Sequence, residues 1–187
     1  MNQPTTQSPP PRKMDYLAGL LSYLVPGLGQ IYQKRYSKGL LFLVSLYLLF
    51  FYGMWMGQWS NVYLPHTNVK DNYLFTFRPL GDVENRVHFA GQFCIGISAW
   101  PALIQYYAYD PLQPNKPLPI IQTYQQAPSE EKLNDFQRKG DKRWDLGWVY
   151  TVIAGVLNIL VIYDAIAGPA HREVKEEPAR EKKEAVV

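Results

Sequence analysis

The sequence predicts an all-α, polytopic helical membrane protein, and three observations predict it. Charge comes in blocks: no Asp, Glu, Lys or Arg occurs in 16–33, 39–69, 87–109 or 146–163 of the 187 residues. A helix on the surface of a soluble domain carries charge every turn or two on its wet face, and these stretches carry none. Second, the run 39–57 has nineteen residues, enough at ~1.5 Å per residue to cross a hydrocarbon core of ~30 Å. Third, Trp and Tyr gather at the ends of the uncharged stretches, where interfacial aromatic belts lie. The formal net charge of +3 and slightly negative mean hydropathy suggest a soluble chain only because they average over these blocks.

Residues 1–13, MNQPTTQSPPPRK, are polar and Pro-rich and read as a disordered tail. The helical membrane domain is expected over 14–169. Its first segment, 15–32, carries Pro26 near its middle, so it either spans with a kink or re-enters as a hairpin. Segment two is 39–57, with Trp55, Trp59 and Tyr63 crowding its far end. Segment three is 88–109, kinked at Pro101, with Tyr106, Tyr107 and Tyr109 at its end; neighbouring membrane helices can accommodate such a proline. Segment four is 146–168, opened by Trp144 and Trp148 and stopped by Gly168-Pro169. Segments two to four are read as transmembrane helices.

The connections differ in kind. The loop 58–87 mixes aromatics with turn pairs. In the loop 110–145, DPLQPNKPLP places prolines three apart and favours polyproline II, a stiff linker or a ligand for a recognition domain. SEEKLNDFQRKG (129–140) reads as a short surface helix with Ser129 as N-cap, acids first, bases last and Gly140 as stop. The tail 170–187 alternates Lys/Arg with Glu and reads as mobile and solvated.

VPGLGQIYQKRYSKG (25–39) invites a phosphate-loop reading. It lacks G-x-x-x-x-G-K-[ST], and Gly27-Leu28-Gly29 has no third glycine after a strand. A helical hairpin accounts for more of its letters. Pro26 breaks the helix, Gly27 and Gly29 allow close approach, and Lys34, Arg35 and Lys38 form a basic turn facing lipid phosphates. Gly39 opens the next span. A cleaved signal peptide fits poorly, because the polar lead is long and no A-x-A site follows.

PGLGQIYQKRYSKGLLF resembles the motif opening a group of small bacterial membrane proteins, akin in layout to the two-helix TM2 domain. DLGWVYTVIAGVLNILVIYDAIAGP (145–169) resembles the C-terminal signature of one such family, classed only as a domain of unknown function. The resemblance implies a multi-pass protein of the bacterial inner (cytoplasmic) membrane with three or four spans. It brings no activity, catalytic residue or cofactor.

In lipid, helices associate through small residues and a few hydrogen bonds. Gly91, Cys94, Ser98 and Ala102 share one face of a continuous segment three; Gly147, Thr151, Gly155 and Asn158 share one of segment four. These faces are expected to meet, with Asn158 bonding across to segment three or one. Gly53 and Gly57 have the G-x-x-x-G spacing of a dimerisation face. Asp164, the one acid inside an apolar run, reads as an interfacial anchor or cap, or alternatively as part of an ion path with Asn158 and Gln92.

Cys94, the single cysteine, excludes an internal disulfide. It reads as a packing residue, and with His66, His88 and His171 it shows no ligand spacing. No basic stripe suggests nucleic acid. The expected partners are the bilayer and another membrane protein or a second copy; no metal, cofactor or catalysis is expected. If all four segments span, the two sides carry ten and nine Lys/Arg. If segment one re-enters, eleven against eight puts the tail 1–13, the turn 33–38 and the loop 110–145 in the cytoplasm. The leading functional expectation is a non-catalytic structural or assembly subunit, the second a small transporter or channel component.

Overall fold

The computed structural model describes residues 14–65, 86–110, 112–113, 116–139 and 142–168, and its regular structure is helical. Both terminal tails, most of the loop 58–87, Gly140 and the prolines at 111 and 114 lie outside the described residues.

Segment one is two helices, α1 (Tyr16–Leu24) and α2 (Leu28–Tyr32). Asp15 caps α1, its carboxylate accepting from Ala18 N at 3.1 Å. α1 ends because Val25 precedes a proline and is extended, φ −138° and ψ 119°. Gly27 then turns the chain at φ +84°, a conformation that disfavours any residue with a Cβ. α2 runs back along α1: Gly29 lies against the Ala18 carbonyl and Ser22 Oγ, and Gln33 Nε2 reaches the Asp15 carboxylate at 3.4 Å. Segment one is therefore a tight hairpin. Nine residues reach only ~13 Å, well short of a bilayer core.

α3 (Tyr36–Met56) and α4 (Val87–Phe93) follow, then a 3₁₀ turn at Ile97–Ala99, α5 (Trp100–Tyr107), α6 (Glu130–Lys139) and α7 (Lys142–Ala167). α3 and α7 pack antiparallel along their length, Gly53 against Gly147 at one end and Lys38 against Asp164 at the other. A Cβ on Gly147 would overlap the Gly53 carbonyl oxygen and Gly57 N, so the G-x-x-x-G of α3 is consumed inside the chain. This corrects its reading as a dimerisation face.

Segment three is not one kinked helix. α4 stops at Phe93, and Gly96 adopts φ +87° with its Cα against the Tyr23 and Leu24 carbonyls at the end of α1. Pro101 sits in the first turn of α5, where its missing N–H costs nothing. The expected continuous face of Gly91, Cys94, Ser98 and Ala102 is split accordingly. The first two residues address α7. Ser98 and Ala102 instead meet Gln125, which donates to Ser98 O at 2.7 Å and accepts from Ala102 N at 3.0 Å.

Of three expected spans, two helices among the described residues are long and apolar enough to cross a membrane: α3 with 21 residues and α7 with 26. Only 28% and 33% of their most apolar stretches are buried. The connection after α5 also departs from expectation. Gln113 N bonds Asp110 O at 3.0 Å and Lys116 N bonds Gln113 O at 3.1 Å, whereas polyproline II makes no internal hydrogen bonds. α6 begins after Ser129, whose Oγ accepts from Lys132 N at 3.4 Å. Phe136 of α6 stacks on Trp144, with ring centroids 5.7 Å apart.

Both broken segments insert to mid-depth from opposite ends. α1 enters beside the C-terminus of α7, its Asp15 N bonding Ile166 O at 3.0 Å. α4 enters beside the N-terminus of α7, with His88 against the Trp148 ring at 4.2 Å. They meet at Asn158.

Candidate functional site

Most of the buried polar side chains among the described residues form a file along one face of α7, with Gln105 and Gln125 at α5 standing apart. At the first end, Asp164 accepts from Lys38 Nζ at 2.6 Å and pairs with Arg35 at 3.0 Å. Gln30 Nε2 donates to the same carboxylate at 3.1 Å and to Val161 O at 2.8 Å. Two of the three cations of the basic turn, expected to face lipid phosphates, thus pair with an acid of α7. Asp164 is a shared anchor for α2, the turn before α3, and α7. Gln33 adds a bond to Ala165 O at 2.7 Å.

One turn deeper, Ser22 Oγ donates to Gln30 Oε1 at 3.0 Å and accepts from Gly29 N at 3.1 Å. Asn158 Nδ2 then donates to Ser22 O at 3.2 Å and Cys94 O at 2.9 Å. Those carbonyls belong to the last turn of α1 and the C-cap of α4, where orphan oxygens accumulate. One asparagine therefore ties together the tips of both inserted helices. Beyond it, Gly155 meets the Gly91 carbonyl, and Gln92 Nε2 donates to Thr151 Oγ1 at 2.8 Å and Asn61 O at 3.1 Å. Arg86 closes the file. It is 6% exposed, donates to Asn61 O at 3.1 Å and lies over the Tyr63 ring at 3.4 Å. Tyr63, expected in an aromatic belt, is instead buried under this guanidinium.

Gly147, Thr151, Gly155 and Asn158 therefore all lie on the inner face of α7. Pro26, Gly27, Gly29 and Gly39 form the hairpin seam, with Gly27 against the Gly39 carbonyl. Lys34 occupies the turn into α3 at φ +63°. Cys94 donates weakly from Sγ to Ala90 O at 3.2 Å. Ser22, Gln30, Gln33, Asn61, Arg86 and Gln125 are structural polar residues that no sequence motif singles out. The available signal was a glutamine or serine inside an uncharged window, which is a weak one.

Among the described residues no group of three or more His, Cys, Asp or Glu could hold a metal ion. The model of the DUF6677 family, a family of unknown function, matches residues 17–178. The chain belongs to the DUF6677 family. Comparison with curated proteins and with solved structures gives no match. In this DUF6677 chain the matched region contains the whole polar file, from Ser22 to Asp164, and both glycine-bearing stretches at 25–39 and 145–168.

Proposed function

We propose that this DUF6677 protein is a non-catalytic integral membrane subunit with a structural or assembly role, embedded as a multi-pass protein in a bacterial inner membrane. One observation carries the reading: each polar group expected to serve transport is engaged in holding helices together. Asp164 is held by Lys38, Arg35 and Gln30, Asn158 by two helix ends and Gln92 by Thr151 and Asn61.

Membrane embedding is supported by what faces outward. Leu40, Leu41, Val44, Leu48 and Phe51 of α3 and Val149, Ile153, Val156, Leu157 and Leu160 of α7 are exposed. Such a belt exceeds what a soluble monomer leaves uncovered. Exposed Tyr16, Tyr32, Tyr36 and Tyr163 ring one end, and Tyr52, Trp55 and Trp59 the other, the spacing of two interfacial belts. The function test is reconstitution beside partner capture. Purified protein in vesicles is expected to leave H⁺, Na⁺ and K⁺ permeability at the level of empty vesicles, while a membrane partner co-purifies in mild detergent with both wild type and Asp164→Asn. Ion flux in wild type that Asp164→Asn abolishes would establish the transporter reading instead.

The proposal has a topological consequence. With α3 and α7 as spans and both broken segments returning to the side they entered, the N-terminal tail, the turn 33–38 and the C-terminal tail share one side. The loops on either side of α4 and α5 share the other. Lys and Arg then divide ten against nine, which orients nothing. In a Cys94→Ser background, single cysteines at Met14 and Lys34 are expected to label from one side of the membrane, and those at Gln58 and Glu130 from the opposite side. Four full spans would separate Met14 from Lys34.

A further inference from the structure

Four buried polar atoms in the file have no hydrogen-bond partner: Asn158 Oδ1, Gln92 Oε1, Asn61 Oδ1 and Arg86 Nε. Asn158, Gln92 and Asn61 are completely buried. Two of the four belong to side chains that converge on one point, because Arg86 and Gln92 both donate to the Asn61 backbone carbonyl at 3.1 Å; the side chain of Asn61 itself donates to Gly53 O at 3.1 Å. An unsatisfied buried polar atom costs about 1–3 kcal/mol, so several of them beside the inner face of α7 call for small polar occupants.

The chemistry of the set selects that occupant. Three amide oxygens and one N–H remain. A bare anion would be repelled by the Asn61 and Gln92 oxygens, and a bare cation by the guanidinium beside them. The occupant must donate to oxygens and accept from a nitrogen, and it must be small, because the side chains that would hold it are buried. Water meets these requirements, and two to four polar partners are what a buried water needs. We propose that the seam between α4 and α7, from Arg86 to Asn158, is an internal hydration site. Water there accepts from Arg86 Nε and donates to the side-chain oxygens of Asn61, Gln92 and, at mid-depth, Asn158. This gives the interior a function beyond helix adhesion: a wetted polar line that reaches the centre of an otherwise apolar bundle.

The test uses the full-length, isotope-labelled protein in lipid bilayers and measures magnetisation transfer from water by solid-state NMR. The side-chain amide protons of Asn158, Gln92 and Asn61 are expected to receive water magnetisation at rates close to those of exposed Gln58. The backbone amides of Phe50 and Ala154, completely buried among apolar groups, serve as the dry reference. Transfer to all three amides no faster than to Phe50 and Ala154 would overturn the proposal, with the oxygens then satisfied by rearranged protein groups. In Gln92→Met, which removes one water partner, the transfer to Asn61 is expected to fall to the dry level. Unchanged transfer would exclude a water held by Gln92. The wild-type measurement stands if that variant fails to fold, and it is independent of whether a partner protein is found.

Discussion

Gly155→Leu is expected to detach α4 from α7 and to destabilise the protein by roughly 3–5 kcal/mol, combining overpacking of 1–3 kcal/mol with about 1 kcal/mol for each hydrogen bond lost. Gly155 is buried, and a Cβ there would overlap the Gly91 carbonyl oxygen, which is backbone and cannot rotate aside. The leucine must push α4 outward. That movement strains the Gln92–Thr151 bond one turn to one side and the Asn158–Cys94 bond one turn to the other. Equilibrium unfolding in mixed micelles by SDS should show the variant unfolding at a distinctly lower SDS fraction. The control is Leu157→Ala, two positions along the same helix but exposed, which should behave as wild type. A Gly155→Leu protein as stable as wild type would mean that α4 does not pack on α7 here.

Asp164→Ala is expected to cost roughly 2–3 kcal/mol, between the 0–1 kcal/mol of exposed ion pairs and the 3–5 kcal/mol of buried ones. The carboxylate is 27% exposed and its partners Arg35 and Lys38 are 20% and 42% exposed, so water compensates only part of the loss. Removing it leaves two cations without their acid and removes one acceptor from fully buried Gln30. Because these groups act together, their energies are non-additive. Arg35→Ala introduced on top of Asp164→Ala should cost less than Arg35→Ala alone, measured by the same unfolding titration. Equal costs in both backgrounds would show that the ion pair carries no coupling.

The apolar blocks that became α3 and α7 were legible because length, composition and missing charge are local properties. The hairpin of α1 and α2 was half legible: Pro26-Gly27 announces a break, but a kinked span and a return to the same side share that signature. The break in segment three lies ahead of the proline that suggests it. Pro101 drew attention as a kink, yet at the start of α5 it fits without cost. The decisive residue was Gly96, and a glycine in an apolar segment is ordinary enough to carry no warning. The members of the polar file on α7, Thr151 and Asn158, followed from spacing. Their partners Gln92 and Ser22 had no pattern of their own to place them there.

What the sequence determined by itself is which stretches are apolar and uncharged and where their aromatic and charged ends lie, since those follow from side-chain chemistry within each stretch. Which stretches run the length of the bundle and which turn back was decided only in three dimensions. A helix can stop in an apolar interior only where its freed backbone groups find partners. Here the partners come from far along the chain: Asn158 for the ends of α1 and α4, and Gln125 for the start of α5.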